Sequence, residues 1–189
     1  MDKRSSLLWH SFRQGSMSAF EQIYQSHYHS LYVYGMKIYS NSEMVRDAIQ
    51  TLFIDLWRRR DHLGDTDHIK FYLFKGLRRV LISLLKNERK KLDVDSYQHL
   101  VHNSMQHDTE DLQDQSLHLK NAVNKLSKKQ REVIYLRYYE NLSCEEVADI
   151  MKININTVYN NLSLAIKNLR VHMDENLLYL LLLVSINYA

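Results

Sequence analysis

Proline is absent from this chain of 189 residues, and only four residues are glycine. Proline breaks helices, and glycine either weakens them or permits tight turns. A chain without proline and with few glycines can form long helices but few β-turns. Hydrophobic residues make up 45% of the sequence, which is enough to build a buried core. We therefore expect an all-α protein with one large or two small domains.

Residues 142–170 have the pattern of two helices joined by a short turn. Ser143 and Glu146 form an S-x-x-E capping box at the start of the first helix. Lys152-Ile153 forms the turn, and Asn154 is a suitable N-cap for the second helix. Apolar residues of the second helix fall on one stripe, which favours burial of that side.

The opposite face of this second helix carries short polar and aromatic side chains. Such groups can hydrogen-bond base edges and phosphates in the major groove of DNA. The candidate DNA-binding residues of the motif are Lys152, Asn156, Thr157, Tyr159, Asn160, Ser163, Lys167 and Arg170. The pattern therefore predicts a helix-turn-helix that reads DNA, in preference to an ordinary helical hairpin.

The net charge of +3 hides two basic blocks with an acidic block between them. Residues 58–91 contain eleven basic and four acidic residues, and residues 118–173 contain nine and five. Residues 92–117 contain six acidic residues and no basic one. This layout is typical of two modules that touch DNA and a linker between them. We predict a helical domain at 1–92, a flexible acidic linker at 93–116, a helix-turn-helix domain at 117–173 and an apolar tail at 174–189.

The N-terminal domain is expected to contain three or four helices. A Gly15-Ser16 pair ends the first, and Ser18 is predicted to cap the second. Asn41 or Ser42 begins the third, and a long helix covers about residues 68–91. Basic side chains flank the apolar stripe of that long helix, and Tyr72 lies among aromatic neighbours near its start. This combination suits the neutralisation of phosphates and stacking on an unpaired base.

Several classes of protein do not fit the sequence. A single cysteine, Cys144, excludes an intramolecular disulfide and fits the cytoplasm, and no signal peptide is recognisable. The apolar run at 177–186 is shorter than the roughly 20 residues that span a bilayer, and we expect it to dock on a core or a partner. No catalytic motif or convincing metal site is present. We therefore expect no enzyme activity, no cofactor, no metal and no small-molecule substrate.

Two stretches of the sequence resemble the extracytoplasmic-function (ECF) sigma factors of bacterial RNA polymerase, in the sigma-70 superfamily. VRDAIQTLFIDLWRRR, at 45–60, is similar to the family's stretch that docks on the clamp helices of the largest polymerase subunit. KLSKKQREVIYLRYYENLSCEEVADIMKININTVYNNL, at 125–162, is similar to the domain that reads the upstream promoter element. The resemblance spans about residues 19–170.

The resemblance implies a set of partners and contact residues. Core RNA polymerase and promoter DNA are the implied partners, with an anti-sigma factor, often a membrane protein, as the usual regulator. Residues implied to bind core polymerase are Asp47, Gln50 and Phe53. Residues implied to recognise the downstream promoter element are Tyr72, Lys75, Arg78, Arg79 and Lys86. The helix-turn-helix residues named above correspond to the upstream element.

The sequence departs from the family at several of these positions. Tyr72 stands where the family usually has tryptophan, and Arg79 where it commonly has Asn. Tyr159 and Asn160 replace residues that are often Lys or Arg, so we predict modest DNA affinity for the C-terminal domain alone. Two alternatives remain: a stand-alone dimeric helix-turn-helix regulator, which needs no polymerase, and a helical adaptor that binds acidic proteins.

Overall fold

A computed structural model describes residues 3–39, 41–92 and 125–172 of the chain. All regular structure within these ranges is helical, which confirms the predicted fold class. The predicted linker and apolar tail lie outside the described residues. The chain divides into two compact units on either side of residues 104–105, and the predicted domain limits themselves stay predictions. None of the helices in the described ranges is both long and apolar enough to cross a membrane.

Four α-helices form the described part of the N-terminal unit: α1 (Lys3–Arg13), α2 (Met17–Ile38), α3 (Ser42–Arg59) and α4 (Ile69–Leu92). A 3-10 turn (Arg60–His62) follows α3. Helices α2, α3 and α4 pack on one another, and α1 packs on α2. The largest fully buried side chains of this core are Trp9, Phe12, Ile23, Leu31, Tyr34, Ile49, Leu73, Phe74, Leu77 and Leu81.

The start of α2 corrects one prediction. Gly15 has φ = +87°, a left-handed conformation that suits glycine, and this residue turns the chain out of α1. Ser16 then adopts an extended conformation, and its Oγ accepts a hydrogen bond from the Ala19 N–H at 3.3 Å. Ser16 is therefore the N-cap, and Ser18 lies inside the helix. The S-x-x-E spacing suggested Ser18, but the glycine turn fixes the cap two residues earlier.

The cap of α3 confirms its prediction. The Oδ1 atom of Asn41 accepts hydrogen bonds from the backbone N–H groups of Glu43 and Met44, at 3.0 and 3.1 Å. These bonds satisfy two of the donors that a helix start leaves without intrahelical partners. Helix α3 therefore begins at Ser42, and its apolar side faces the core from the first turn.

Gly35 lies at a close approach of α2 to α3, and we expect its replacement by alanine to destabilise the N-terminal unit. A Cβ atom there would lie 2.6 Å from Val45 Cγ1 and 3.4 Å from Val45 Cγ2. Val45 is fully buried and its branched side chain has few rotamers, so it cannot move aside. Gly35→Ala should lower the free energy of unfolding by about 1–3 kcal/mol, measured by urea denaturation.

A matched control for this variant is Gly64→Ala. No atom lies within 4 Å of a Cβ at Gly64, so this change should alter stability by less than about 0.5 kcal/mol. Adding Val45→Ala to Gly35→Ala should cost less than the sum of the two single changes, because it removes the clash. Stability equal to that of the unchanged chain in Gly35→Ala would contradict the close approach of α2 and α3.

Three α-helices form the described part of the C-terminal unit: α5 (Lys128–Ile134), α6 (Cys144–Met151) and α7 (Ile155–His172). Helix α7 packs against both α5 and α6. The predicted capping box is confirmed, since Ser143 pairs with Glu146 in both directions, and Ser127 forms a second box of this kind with Gln130. Helix α5 continues as a π-helical turn (Tyr135–Tyr139), which the sequence pattern did not indicate.

The π-helical turn places a polar pair in the C-terminal unit. Tyr135 and Glu140 are both buried. Burial and a hydrogen bond to the Glu140 side chain raise the pKa of the Tyr135 hydroxyl, which therefore stays protonated. The buried carboxyl of Glu140 thus has a hydrogen-bond partner, as a buried polar group requires.

Candidate functional site

An open groove with a volume of about 530 Å³ lies between α2 and α3. Three large hydrophobic side chains at this groove remain exposed: Met17 by 61%, Ile54 by 43% and Tyr24 by 38%. Exposed apolar surface that is contiguous and rimmed by polar groups marks interaction sites. The lining residues are Met17, Phe20, Tyr24, Tyr28, Arg46, Gln50, Phe53, Ile54, Trp57 and Arg58.

Aromatic rings form a packed floor in this groove. The ring centroids of Phe20 and Phe53 lie 5.9 Å apart, and those of Tyr24 and Phe53 lie 4.9 Å apart in an edge-on arrangement. Phe20 also contacts Trp57, at 5.1 Å. Edge-on contacts at these distances are favourable and leave the rings few alternative positions. The groove is therefore preformed, and a partner that enters it orders few side chains.

The structure brings two of the three predicted polymerase-binding residues to this groove. Gln50 is exposed at its edge, and Phe53 forms part of its floor with only 3% of its surface exposed. Asp47 is exposed one turn earlier on α3, on the same side of the helix as Gln50. Sequence reasoning missed Tyr24 and Ile54, because an apolar residue on a helix is ordinarily assigned to the core.

The residues predicted to contact the downstream element lie on α4. Lys75, Arg79 and Lys86 are exposed, and their spacing places them along one side of the helix. Lys75 and Lys86 are eleven positions apart, which corresponds to a rise of about 17 Å, so the three cations are spaced along the helix axis. Arg78 is partly buried and interacts with other groups. Tyr72 is partly buried, with its ring centroid 5.2 Å from that of Trp9.

The helix-turn-helix is formed by α6 and α7 as predicted. Lys152 ends α6 in a left-handed conformation with φ = +54°, and the N–H of Ile153 bonds to the carbonyl of Ala148 at 3.0 Å. The Asn154 side chain then accepts a bond from the N–H of Asn156 at 2.8 Å and so caps α7. Val147 and Val158 are fully buried in this unit.

The exposed face of α7 carries neutral hydrogen-bonding groups in its first half and cations in its second. Asn156, Asn160 and Ser163 are exposed, while Thr157 is partly buried. Lys167 and Arg170 are exposed nearer the end of the helix, and Lys152 is exposed at the turn. The amides, a type of group that can read base edges, thus precede on α7 the two cations, a type of group that can neutralise phosphates.

Two neighbouring side chains on α7 have partners within the protein. The neighbouring Cys144 side chain raises the pKa of the Tyr159 hydroxyl and is hydrogen-bonded to it. Tyr159 is nevertheless 49% exposed, so its side chain is accessible on the surface of α7. The Asn161 Nδ2 atom donates to the Thr157 carbonyl at 2.7 Å. The Asn161 amide is thus engaged with its own helix, unlike the amide of Asn160.

Comparison with known proteins gives a consistent result. The family described as Sigma-70, region 4, matches residues 117–169. The RNA polymerase sigma factor SigV of Bacillus subtilis is 26% identical over 151 residues, which cover 79% of this chain and 87% of that protein. The RNA polymerase sigma-E factor of Streptomyces avermitilis is 26% identical over 163 residues, covering 85% and 88%.

Two solved structures share the fold. The sigma factor RpoE of Bartonella quintana, in complex with the anti-sigma factor NepR, is 25% identical, with a TM-score of 0.60. That similarity covers 80% of this chain and 94% of RpoE. CnrH, in complex with the cytosolic domain of CnrY, is 18% identical, with a TM-score of 0.59. That similarity covers 88% of this chain and 95% of CnrH, and it supports the fold alone.

Proposed function

The chain belongs to the ECF sigma factors, which direct transcription initiation by RNA polymerase, and on that premise we propose which of its surfaces perform each step. A sigma factor supplies promoter recognition to the polymerase and catalyses no reaction itself. The similarity to sigma factors covers 79–85% of the chain and so extends beyond the C-terminal unit into the N-terminal unit. This coverage favours a sigma factor over the stand-alone regulator and over the adaptor.

The groove between α2 and α3 is the proposed binding site for core polymerase. The observation that carries this proposal is the exposed apolar groove itself, which α3 borders with Gln50 at its edge. Apolar anchors at the centre and polar groups at the rim are the usual composition of a protein interface. Asp47 and Gln50 are the proposed polar contacts with polymerase. The buried Phe53 ring packs against the Tyr24 ring and so holds Tyr24 in place at the groove.

Co-elution of the purified chain with bacterial core polymerase tests this proposal. A double variant, Asp47→Ala with Gln50→Ala, removes two exposed side chains and should weaken binding while the fold is kept. Phe53→Ala is a poor test, because truncating a buried phenylalanine costs about 3–5 kcal/mol of stability. A folded wild-type chain that never co-elutes with core polymerase would exclude the groove as its docking site.

Two DNA-binding surfaces are proposed to serve the two promoter elements. On α4, Lys75, Arg79 and Lys86 neutralise phosphates near the downstream element, and Tyr72 stacks on a base during strand opening. Arg78 is assigned to the same element. On the helix-turn-helix, Asn156, Thr157, Tyr159, Asn160 and Ser163 face the bases of the upstream element. Lys152, Lys167 and Arg170 bind the flanking phosphates.

An anti-sigma factor is the proposed regulator of this chain. RpoE, which is 25% identical to it, was solved together with its anti-sigma factor NepR. A regulator that covered the exposed apolar groove would exclude core polymerase by direct competition. We further propose that the chain acts in the cytoplasm, where it meets polymerase and DNA, and that its anti-sigma factor is membrane-bound.

A further inference from the structure

Helix α1 is tied to the loop that precedes α4, although none of the three proposed binding surfaces includes it. The Trp9 Nε1–H donates to the carbonyl oxygen of Gly64 at 2.9 Å, across 55 positions of sequence. Trp9 is only 1% exposed, and its ring lies 5.2 Å from that of Tyr72. One tryptophan therefore contacts both the loop and the aromatic residue proposed to stack on a base.

A second contact from α1 reaches the next residue of the loop. The Arg13 guanidinium forms an ion pair and a hydrogen bond with the Asp65 carboxylate. Three quarters of the Arg13 side chain is buried, and its Nε atom has no hydrogen-bond partner in the described residues. Burying a guanidinium with one unsatisfied donor costs free energy, and the ion pair with Asp65 works against that cost. Arg13 is thus a buried cation whose carboxylate partner lies in the loop before α4.

The loop is continuous with the start of α4. Within it, the Thr66 Oγ1 accepts a hydrogen bond from the His68 N–H at 3.0 Å. The His68 carbonyl in turn accepts the N–H of Tyr72 at 3.1 Å, which closes the first turn of the helix. Residues 64–72 are therefore held at one end by Gly64 and Asp65 and at the other by the Trp9–Tyr72 ring contact.

We propose that α1 is a brace that fixes residues 63–68 and the Tyr72 ring in the conformation that receives an unpaired promoter base. Trp9 and Arg13 are positioning residues, since they act through Gly64, Asp65 and Tyr72. The inference rests on the proposed stacking role of Tyr72. A stacking platform held in place before the base arrives loses less conformational entropy on binding, so the open promoter is stabilised further.

Four variants test the brace in the complete polymerase complex. Trp9→Phe keeps a buried ring and removes the N–H donor, while Arg13→Gln and Asp65→Asn remove the ion pair. The reciprocal variant Arg13→Asp with Asp65→Arg restores opposite charges. His10→Gln is the matched control, because His10 is exposed on the same helix. Urea denaturation of each variant confirms that it is folded.

The measurement is the rate of strand opening at a promoter that the wild-type complex transcribes, followed with a fluorescent adenine analogue. Trp9→Phe and Arg13→Gln should slow opening about three- to tenfold, as expected for loss of one hydrogen bond. The affinity of each variant for core polymerase should stay unchanged. His10→Gln should open the promoter at the wild-type rate, and the reciprocal double variant should recover most of that rate. On a template with a mismatched, already open bubble, every variant should transcribe as the wild type does.

Tyr72→Ala separates failure of the brace from failure of the proposed function. Normal opening by Tyr72→Ala would show that Tyr72 does not capture a base, and the brace would then have no purpose. Slow opening by Tyr72→Ala with normal opening by folded Trp9→Phe and Arg13→Gln would overturn the brace alone. Defects that persist on the open bubble would assign α1 a general structural role instead.

Discussion

Ile54→Asp is expected to reduce the affinity of the chain for core RNA polymerase about 100-fold while leaving the N-terminal unit folded. Ile54 is 43% exposed, so an aspartate at this position is hydrated in the free protein. In the complex the same carboxylate would be taken out of water among the apolar side chains of the groove. Desolvation of a charge costs several kcal/mol, and a hundredfold change in affinity corresponds to about 2.7 kcal/mol.

Thr51→Asp provides the matched control for Ile54→Asp. Thr51 is exposed on the same helix and does not line the groove, so the two variants add the same charge to α3. Affinity is measured by fluorescence anisotropy of the labelled chain titrated with core polymerase, and folding by circular dichroism. Thr51→Asp should bind within about twofold of the wild type. Equal affinities for both variants would show that polymerase binds elsewhere.

Asn160→Ala is expected to weaken binding of the polymerase complex to its own promoter about 5- to 150-fold. Asn160 is exposed on α7, and an amide that reads a base edge contributes about 1–3 kcal/mol of discrimination. Binding to unrelated DNA should change little. Lys167→Gln should instead weaken binding to promoter and to unrelated DNA alike, because it removes a phosphate contact. It should also reduce the slope of log affinity against log salt concentration by about 1.

Asn161→Ala is the control for the amide contact. Its side chain already donates to the Thr157 carbonyl, so its loss should leave promoter affinity nearly unchanged. The measurement is competition between promoter and unrelated duplexes at fixed salt. If Asn160→Ala lowered both affinities by the same factor, Asn160 would be a contact to the backbone of DNA and would carry no sequence information.

The features that sequence analysis predicted well are those set by neighbouring residues. The capping box of Ser143 with Glu146 depends on four consecutive residues, and it formed as expected. The turn at Lys152 and the cap at Asn154 are equally local. Helical periodicity then identified most of the buried side chains, because one apolar stripe on a helix must face a core.

The features that sequence analysis missed depend on contacts between distant residues. Ile54 and Tyr24 have the chemistry of core residues, and only the packing of α2 on α3 leaves them at an open groove. The bond from Trp9 to Gly64 joins residues 55 positions apart, which no local pattern encodes. The π-helical turn at Tyr135 was also missed, because its extra residue shifts the helical register without changing composition.

Transcription in vitro by core polymerase with and without this chain tests the central claim most directly. Fragmented bacterial DNA serves as template, and the 5′ ends of the transcripts are sequenced. We predict defined start sites that require the chain and share two short upstream sequence elements, with both elements and starts lost in Ile54→Asp. A folded chain that binds DNA without polymerase and yields no new start sites would contradict its assignment as a sigma factor.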